Sequence, residues 1–326
     1  MQLTGWLVVN HFLNTRKYEE ITGWLIQSAD KNDIRLLKRT NVELSGLLNQ
    51  EQLVWNQDTQ GDRPDFVLFW DKDVRLAAHL ELLGLRLFNS AVAIEICDDK
   101  SLIYLKLLNS GIKMPKTIIM PKIFHPQDWR NSEFIKVIIK QLGLPIIVKE
   151  CAGSFGEQVY LAKNEGELVE IINRFGTTPA VFQEFIASSF GRDIRIQVVG
   201  GKAIAAMYRY SENGDFRANL TNGAKMKPYM PNDEQSEMAI KVCEILSLDF
   251  AGVDILFGEN EEPVLCEVNS NAHFKNIRDC TGVDAADYIF KYIRAKMVKE
   301  ECCIEDGELS VADIREYSAN SGLADL

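Results

Sequence analysis

The sequence predicts a mixed α/β and α+β chain built from two or three domains. Three observations lead there. At 326 residues the chain exceeds one ordinary domain. Its first hundred residues alternate strand and helix signals, the pattern of a parallel sheet with helices on its faces. Later, short apolar runs come in pairs around turns. The last pair, Phe250–Phe257 (FAGVDILF) and Pro263–Ser270 (PVLCEVNS), reads as an antiparallel hairpin.

Taken in order, Trp6–Val9 reads as a strand, and Tyr18–Ala29 has the apolar spacing of a helix. Asp33–Leu37 is a second short strand. Asp65–Trp70 (DFVLFW) is a buried strand followed by the helical Val74–Leu83, which Gly84 ends before a strand at Leu85–Phe88. Ser90 has the chemistry of an N-cap for a helix to about Cys97. Ser101–Asn109 is helical, Met114–Met120 extended between prolines, and Ser132–Leu142 helical again. Then come the strand Ile146–Lys149, a glycine loop, the strand Val159–Ala162, the helix Glu165–Phe175 and the strand Ala180–Phe185. This segment reads as a small α+β unit with a lid-like loop. Arg192–Val199 and Lys202–Arg209 form a hairpin around Gly200–Gly201. The helix Glu234–Leu246, the FAGVDILF hairpin and a final helix at Asp284–Lys299 complete the chain. The acidic tail after Glu300 fits either a helix or a flexible appendage.

Apolar residues make up 46% and charged residues 25%, the balance of a globular protein with a real core. A net charge of −11 argues against a general nucleic-acid binder. No apolar run reaches the roughly 18–20 residues of a membrane span. The start, MQLTGWLVVNHFLN, lacks the basic region and cleavage site of a secretory signal, so a cytoplasmic protein without membrane partners is expected. The seven cysteines (97, 151, 243, 266, 280, 302 and 303) are scattered without a C-x-x-C pair, which favours reduced thiols. The histidines at 11, 79, 125 and 273 show no metal spacing, and no G-x-S-x-G motif points to covalent hydrolase chemistry.

The chemistry concentrates in a few places. With the hairpin centred on the GENEE turn, Asp254 is expected opposite Glu267, and period-two alternation puts Asn269 on the face of Glu267. Like charges placed opposite destabilise a ladder, so a cation between them is the expected remedy. Two carboxylates and an amide suit Mg²⁺; a solvated acidic edge is the plainer alternative. Gly153-Ser154-Phe155-Gly156 follows directly on Lys149; its glycines let backbone amides approach a phosphate, although a plain turn has the same composition. Lys149 ends an apolar strand, where a bare ammonium is costly without an anion. Lys100 opens a helix after Asp98–Asp99. Glu184 and Phe185 sit where a strand becomes a loop, a place that can offer an apolar slot edged by backbone polar groups. Asp193 and Arg195 alternate on one face of their strand, and Arg209, Arg217, Asn219 and Asn222 add cationic and amide donors suited to a phosphoryl group or oxyanion.

In order and spacing, Lys100, Pro145–Lys149 with its glycine loop, QEFI, GRDIR (191–195), GDFRANL (214–220), AGVDIL (251–256) and EVN (267–269) resemble the ATP-grasp superfamily. The best match is its RimK-like branch of α-L-glutamate ligases and amino-acid ligases, over roughly residues 90–295. The resemblance implies an ATP-grasp fold in four parts. These are a Rossmann-like pre-grasp domain (1–97), an N-terminal and lid subdomain (98–183), a C-terminal antiparallel-sheet subdomain with the metal site (184–299), and an acidic tail (300–326). It implies that ATP contacts Lys100, Lys149, Gly153, Ser154, Gly156, Glu184, Phe185, Asp193, Arg217 and Asn219. Asp254, Glu267 and Asn269 would hold two Mg²⁺ or Mn²⁺ ions, and Arg195, Arg217 and Asn219 would serve the reacting group.

The implied reaction is an ATP-dependent carboxylate–amine ligation through an acylphosphate, releasing ADP and phosphate. It would join a glutamate-like amino acid to a small-molecule, peptide or protein carboxylate, without nucleic acid or membrane, in a chain that such families often assemble as dimers or tetramers. An ATP-grasp kinase, or a weakly catalytic ATP-binding regulator, would use the same nucleotide site. The chain departs from the family pattern at Gln158, where a third loop glycine is usual, and at Ser270-Asn271-Ala272-His273, where Ser-Pro-Gly is common.

Overall fold

Leu3–Val9 (β1) buries every residue but Thr4 deeply, as a central strand of a parallel sheet must. The computed structural model describes residues 2–45, 63–153, 158–218 and 223–305. Thr15 caps the next helix, Arg16–Lys31 (α1), by accepting a hydrogen bond from the Tyr18 amide (3.3 Å), and Tyr18, Ile21, Leu25 and Ala29 form its buried stripe. Ile34–Thr40 (β2), Phe66–Phe69 (β3), the Asp73-capped helix Val74–Leu82 (α2) and Leu87–Phe88 (β4) follow. The strands lie parallel in the order β2-β1-β3-β4, as the alternation of elements predicts.

Contacts divide the chain into two compact units. One holds residues 1–92 together with the segment from Asp284 onward, and the other holds 93–283. The final helix, Ala285–Glu305, therefore groups with the parallel sheet. Tyr292 meets Phe88 edge-on at 6.2 Å, and Asn32 donates to Asp287 Oδ1 at 2.9 Å. Cys302 and Cys303 lie outside the described side chains, and residues 306–326 outside the described residues.

The second unit contains two antiparallel sheets. Ala91–Asp98 (α3) leads into it, and Lys100–Lys106 (α4) is capped by Asp99, which accepts from the Ser101 amide at 2.8 Å. Thr117–Ile119 (β5), Glu133–Leu142 (α5), Ile146–Glu150 (β6), Val159–Ala162 (β7), Glu165–Phe175 (α6) and Ala180–Glu184 (β8) follow. The sheet order is β5-β8-β6-β7. The helices cover one face, with Ile135, Ile138, Val148, Leu168, Ile172 and Phe182 in its core.

The other sheet runs β11-β10-β9-β12-β13. Its strands are Arg192–Val199 (β9), Lys202–Tyr210 (β10), Lys225–Pro228 (β11), Phe250–Phe257 (β12) and Pro263–Asn269 (β13). Asp233–Ile245 (α7), held by an Asn232–Gln235 capping box, packs on the face carrying Ile194, Ile196, Val253 and Ile255. Period two then sends Asp193, Arg195, Gly252 and Asp254 to the opposite face.

The ladder pairs Asp254 with Glu267, as expected, and Gly252 with Asn269, but by a route that counting does not reveal. Phe257↔Pro263 and Ile255↔Leu265 follow a symmetric count around the turn, which would set Cys266 opposite Asp254. A bulge between Asp254 and Ile255 shifts the register by one residue. Cys266 is the extra residue, and Glu267 and Asn269 turn from the core face to the site face.

Two elements had no expectation from sequence: β11, a lysine-rich edge strand, and Lys275–Thr281 (α8), in which only Ile277 is buried. Several expected elements are shorter than read: Asp65–Trp70 contracts to β3, Leu85–Phe88 to β4, Ser101–Asn109 to α4 and Met114–Met120 to β5. Among the described residues no helix is long and apolar enough to cross a membrane.

In the parallel sheet the Phe66 ring lies directly over Gly5, leaving a Cβ there only 2.4–2.8 Å from ring atoms. Gly5→Ala is expected to lower unfolding stability by about 1–3 kcal/mol through overpacking, measured as a reduced urea midpoint at unchanged slope.

Candidate active site

Ile146, Ile147 and Val148 bury β6, and the same strand carries Lys149 inward, where it is 8% exposed. A buried ammonium requires electron-rich neighbours. Lys149 Nζ lies 3.9 Å from Cys266 Sγ on β13. Burial works to lower the Lys149 pKa, but the facing Cys266, Tyr104, Glu267 and Asp254 reverse this and raise it, so the lysine is firmly cationic. Burial also pushes the Cys266 thiol up to about 11, against the pull of Lys149.

Lys100, equally buried, begins α4. Its amide donates to the Cys151 carbonyl at 3.0 Å, and its ammonium donates to the Gly153 carbonyl at 3.3 Å. Glu267 Oε1 lies 3.9 Å from the same ammonium. Two lysines from different elements thus converge beside the β12–β13 hairpin. Gly153 has φ +151°, and a Cβ there would stand 2.7 Å from Gln158 Oε1, so this position requires glycine.

Across β9, β10 and β12 lies a quartet of buried charges. Arg209 donates Nε–H and Nη2–H to the two oxygens of Asp193, at 2.6 and 2.7 Å. Arg195 does the same to Asp254, at 2.6 Å each. Arg209 Nη2 also reaches Asp254 Oδ2 at 3.0 Å, joining the pairs. Burial alone would raise the Asp254 pKa; Arg195 and Arg209 together outweigh it and hold the carboxyl below its ordinary value.

This geometry corrects one inference. Asp254 and Glu267 do face each other, yet their repulsion does not go unanswered, because Asp254 has two guanidiniums and Glu267 has Lys100. Asp193, read as a nucleotide contact, spends both oxygens on Arg209. The Glu184 carboxylate accepts from the Lys116 amide at 2.8 Å, and Arg217 pairs with Asp215 at 2.8 Å.

One cleft is lined by Lys100, Lys149, Glu184, Phe185, Asp193, Arg217, Asp254 and Glu267, all singled out from sequence as candidate site residues. Arg195 sits behind Asp254, and Asn269 lies farther along β13. Ser154, Gly156, Asn219 and Asn222 lie outside the described residues. Sequence reasoning gave no role to two other cleft residues, Gln183 and Cys266, and it read Arg209 as a donor for a phosphoryl group or oxyanion, whereas Arg209 is spent on Asp193 and Asp254.

The donor set suits a hard divalent cation: two carboxylates and an amide on neighbouring positions of one hairpin. The buried Asn269 Nδ2 has no hydrogen-bond partner, and a turn of the amide would present its oxygen instead. Among the described residues, no group of three or more His, Cys, Asp or Glu side chains stands ready to hold an ion, so the hairpin would need the amide and rearrangement at Asp254.

With this geometry in view, the chain was compared with known proteins. Residues 97–293 match a family described as the RimK-like ATP-grasp domain. Over 216 residues the chain is 36% identical to a probable alpha-L-glutamate ligase of Methanococcoides burtonii, covering 65% of this chain and 68% of that protein. Over 225 residues it is 32% identical to N-acetylaspartylglutamate synthase A of Homo sapiens, covering 68% of this chain and 56% of that protein; it therefore spans a little over half of that synthase. Among solved structures, a RimK domain protein ATP-grasp from Sphaerobacter thermophilus superposes with a TM-score of 0.66 at 17% identity, covering 89% of this chain and 98% of that one. At that identity the likeness concerns the fold.

Removing Arg209 would strip Asp193 of its guanidinium and leave Asp254 with Arg195 alone. Arg209→Met is expected to cost about 3–5 kcal/mol of unfolding free energy, and adding Asp193→Asn should recover part of it. Urea unfolding of the two variants measures both effects.

Proposed function

The chain belongs to the RimK-like ATP-grasp family of carboxylate–amine ligases, and on that premise we propose that it joins the amine of a glutamate-like amino acid to a carboxylate of a small molecule, peptide or protein at the expense of ATP. The observation that carries this reading is the convergence of Lys100 and Lys149 with Asp254 and Glu267 in one cleft that opens beside Glu184 and Phe185.

In this reading the strand end at Glu184–Phe185 receives the adenine edge, and Phe185, edge-on to Phe190 at 6.2 Å, supplies an apolar wall. Lys100 and Lys149 set positive charge against the phosphates, Lys149 from a buried position where its electron-rich neighbours outweigh burial and keep it protonated. Gly153, Ser154 and Gly156 would offer the phosphates backbone and hydroxyl donors. Arg217 and Asn219 meet the transferred group, which for Arg217 means exchanging Asp215 for a phosphate oxygen. Asp193 acts on the nucleotide side through Arg209, which it fixes. Asp254, Glu267 and Asn269 are the side chains that would hold two Mg²⁺ or Mn²⁺ ions, which when bound neutralise charge on the phosphoryl group.

The bond changes balance simply. An oxygen of the substrate carboxylate bonds to the γ-phosphorus as the bond to ADP breaks, giving an acylphosphate. The amine nitrogen then bonds to the acyl carbon, phosphate leaves with the acyl oxygen it had bonded to, and the amine's extra proton passes to solvent. Names among the relatives, a glutamate ligase and an acetylaspartylglutamate synthase, support glutamate as the amine.

The test is ATP-dependent product formation from pools of amino acids, dipeptides and cell extract, read by mass spectrometry. The expected result is ADP, phosphate and a new mass equal to two substrates minus water. A phosphorylated product without condensation would instead show a kinase. Glu267→Gln is expected to lower condensation by about a hundredfold or more; full activity in that variant would remove the hairpin from the mechanism.

A further inference from the structure

The hairpin read above as a cation site is not open at Asp254, because guanidiniums already satisfy both carboxylate oxygens. The two arginines differ in what else holds them. Arg209 is bidentate to Asp193 and stays anchored whether or not Asp254 engages it. Among the described residues, Arg195 has its ion pair with Asp254 alone. Its side chain is also the more exposed of the two, at 16% against 5%. The Arg195 stem crosses over Gly252, where its Cδ and Nε lie 3.6 Å from where a Cβ would stand. Asn269, with its unpartnered buried amide, is paired with that same glycine. The anchored arginine and the singly held arginine therefore meet on one carboxylate, and the unsatisfied amide stands opposite Gly252, two residues along the same strand.

Charge decides what happens when a cation arrives. The quartet of Asp193, Asp254, Arg195 and Arg209 sums to zero formal charge. A divalent ion added to it would meet two guanidiniums on the oxygen atoms it needs, a severe repulsion in a partly buried site. The repulsion is relieved at least cost by moving the one cation without a second anchor.

Resting on the function proposed above, we propose that Arg195 is an internal placeholder for the divalent cation: it neutralises Asp254 while the hairpin holds no metal and vacates the carboxylate when the metal binds. Arg209 stays in place and keeps Asp254 oriented. The vacating guanidinium is then without a carboxylate, the condition in which it can meet the anionic reacting group for which the sequence nominates it. Metal occupancy and availability of this cation become one event, and the nucleotide-free protein holds metal weakly because Arg195 competes.

Two measurements on the full chain without nucleotide test this. In Mn²⁺ titrations followed by electron paramagnetic resonance, Arg195→Met should bind the ion about tenfold or more tightly than the unaltered protein, with Arg195→Lys between them. Should Arg195→Met fail to fold, the unaltered protein gives a second reading. Under Mg²⁺ the Nε–H of Arg195, identified by its loss in Arg195→Lys, should exchange faster with solvent while that of Arg209 stays protected. Equal or weaker Mn²⁺ binding by a folded Arg195→Met, or an Arg195 Nε–H that stays protected at saturating Mg²⁺, would overturn the placeholder and leave the hairpin as the metal site. Absence of Mn²⁺ binding by either protein, with or without ATP, would overturn the hairpin assignment as well.

Discussion

Two carboxylates and two guanidiniums lie side by side across three strands of the second sheet, almost wholly out of water. Forks of this geometry are strong and directional, because each planar guanidinium offers parallel N–H groups to both oxygens of a carboxylate. Taking four charges out of water is unfavourable, so the contribution of such a group lies less in net stability than in allowing one arrangement. If β9 slipped by one residue against β10 or β12, Asp193 and Arg195 would point into the apolar face that Ile194 and Ile196 now occupy. The quartet thus specifies the register of the sheet, and the register places the hairpin carboxylates beside the two lysines. Those lysines come from other elements, yet each is held by what the hairpin presents: Lys149 by Cys266 and Lys100 by Glu267.

The architecture was largely legible in the sequence. Period-two and period-3.6 patterns located the strands and helices that bury a full face, such as β12, or a full stripe, such as α6 with its five buried apolar residues. The pattern weakened where burial did. The edge strand β11 exposes its lysines, and α8 buries a single side chain, so neither carries a periodic signal. Among the site residues, order along the chain was enough to nominate the side chains of the cleft, since strand ends and strand faces are fixed by local rules. Their mutual contacts were not readable. Nothing in the residues Asp193, Arg195 and Asp254 announces that Arg209 will bridge two of them, because that contact depends on how three strands line up.

The same reasoning explains why an opposed carboxylate pair was a sound clue with an incomplete remedy. Repulsion across a ladder must be answered, and sequence offered a cation from solution as the answer. The structure supplies basic side chains from adjacent strands and from α4. A protein and a metal ion can satisfy the same electrostatic demand, and a site that alternates between the two answers need never hold the demand unanswered.

The single bulged residue in the hairpin has a consequence for divergence. Beyond the bulge, from Ile255 outward and Leu265 back, the strands follow the symmetric count set by the turn; inside it they follow a count one residue apart. Packing and chemistry thus run on separate frames within one pair of strands. Substitutions in the outer ladder are read by the apolar core, which takes in Ile255, Phe257 and Leu265, while those on the inner side are read by the reaction. Relatives could therefore remodel the outer hairpin, even its turn, without re-aiming Glu267, provided that the offset at Cys266 is inherited.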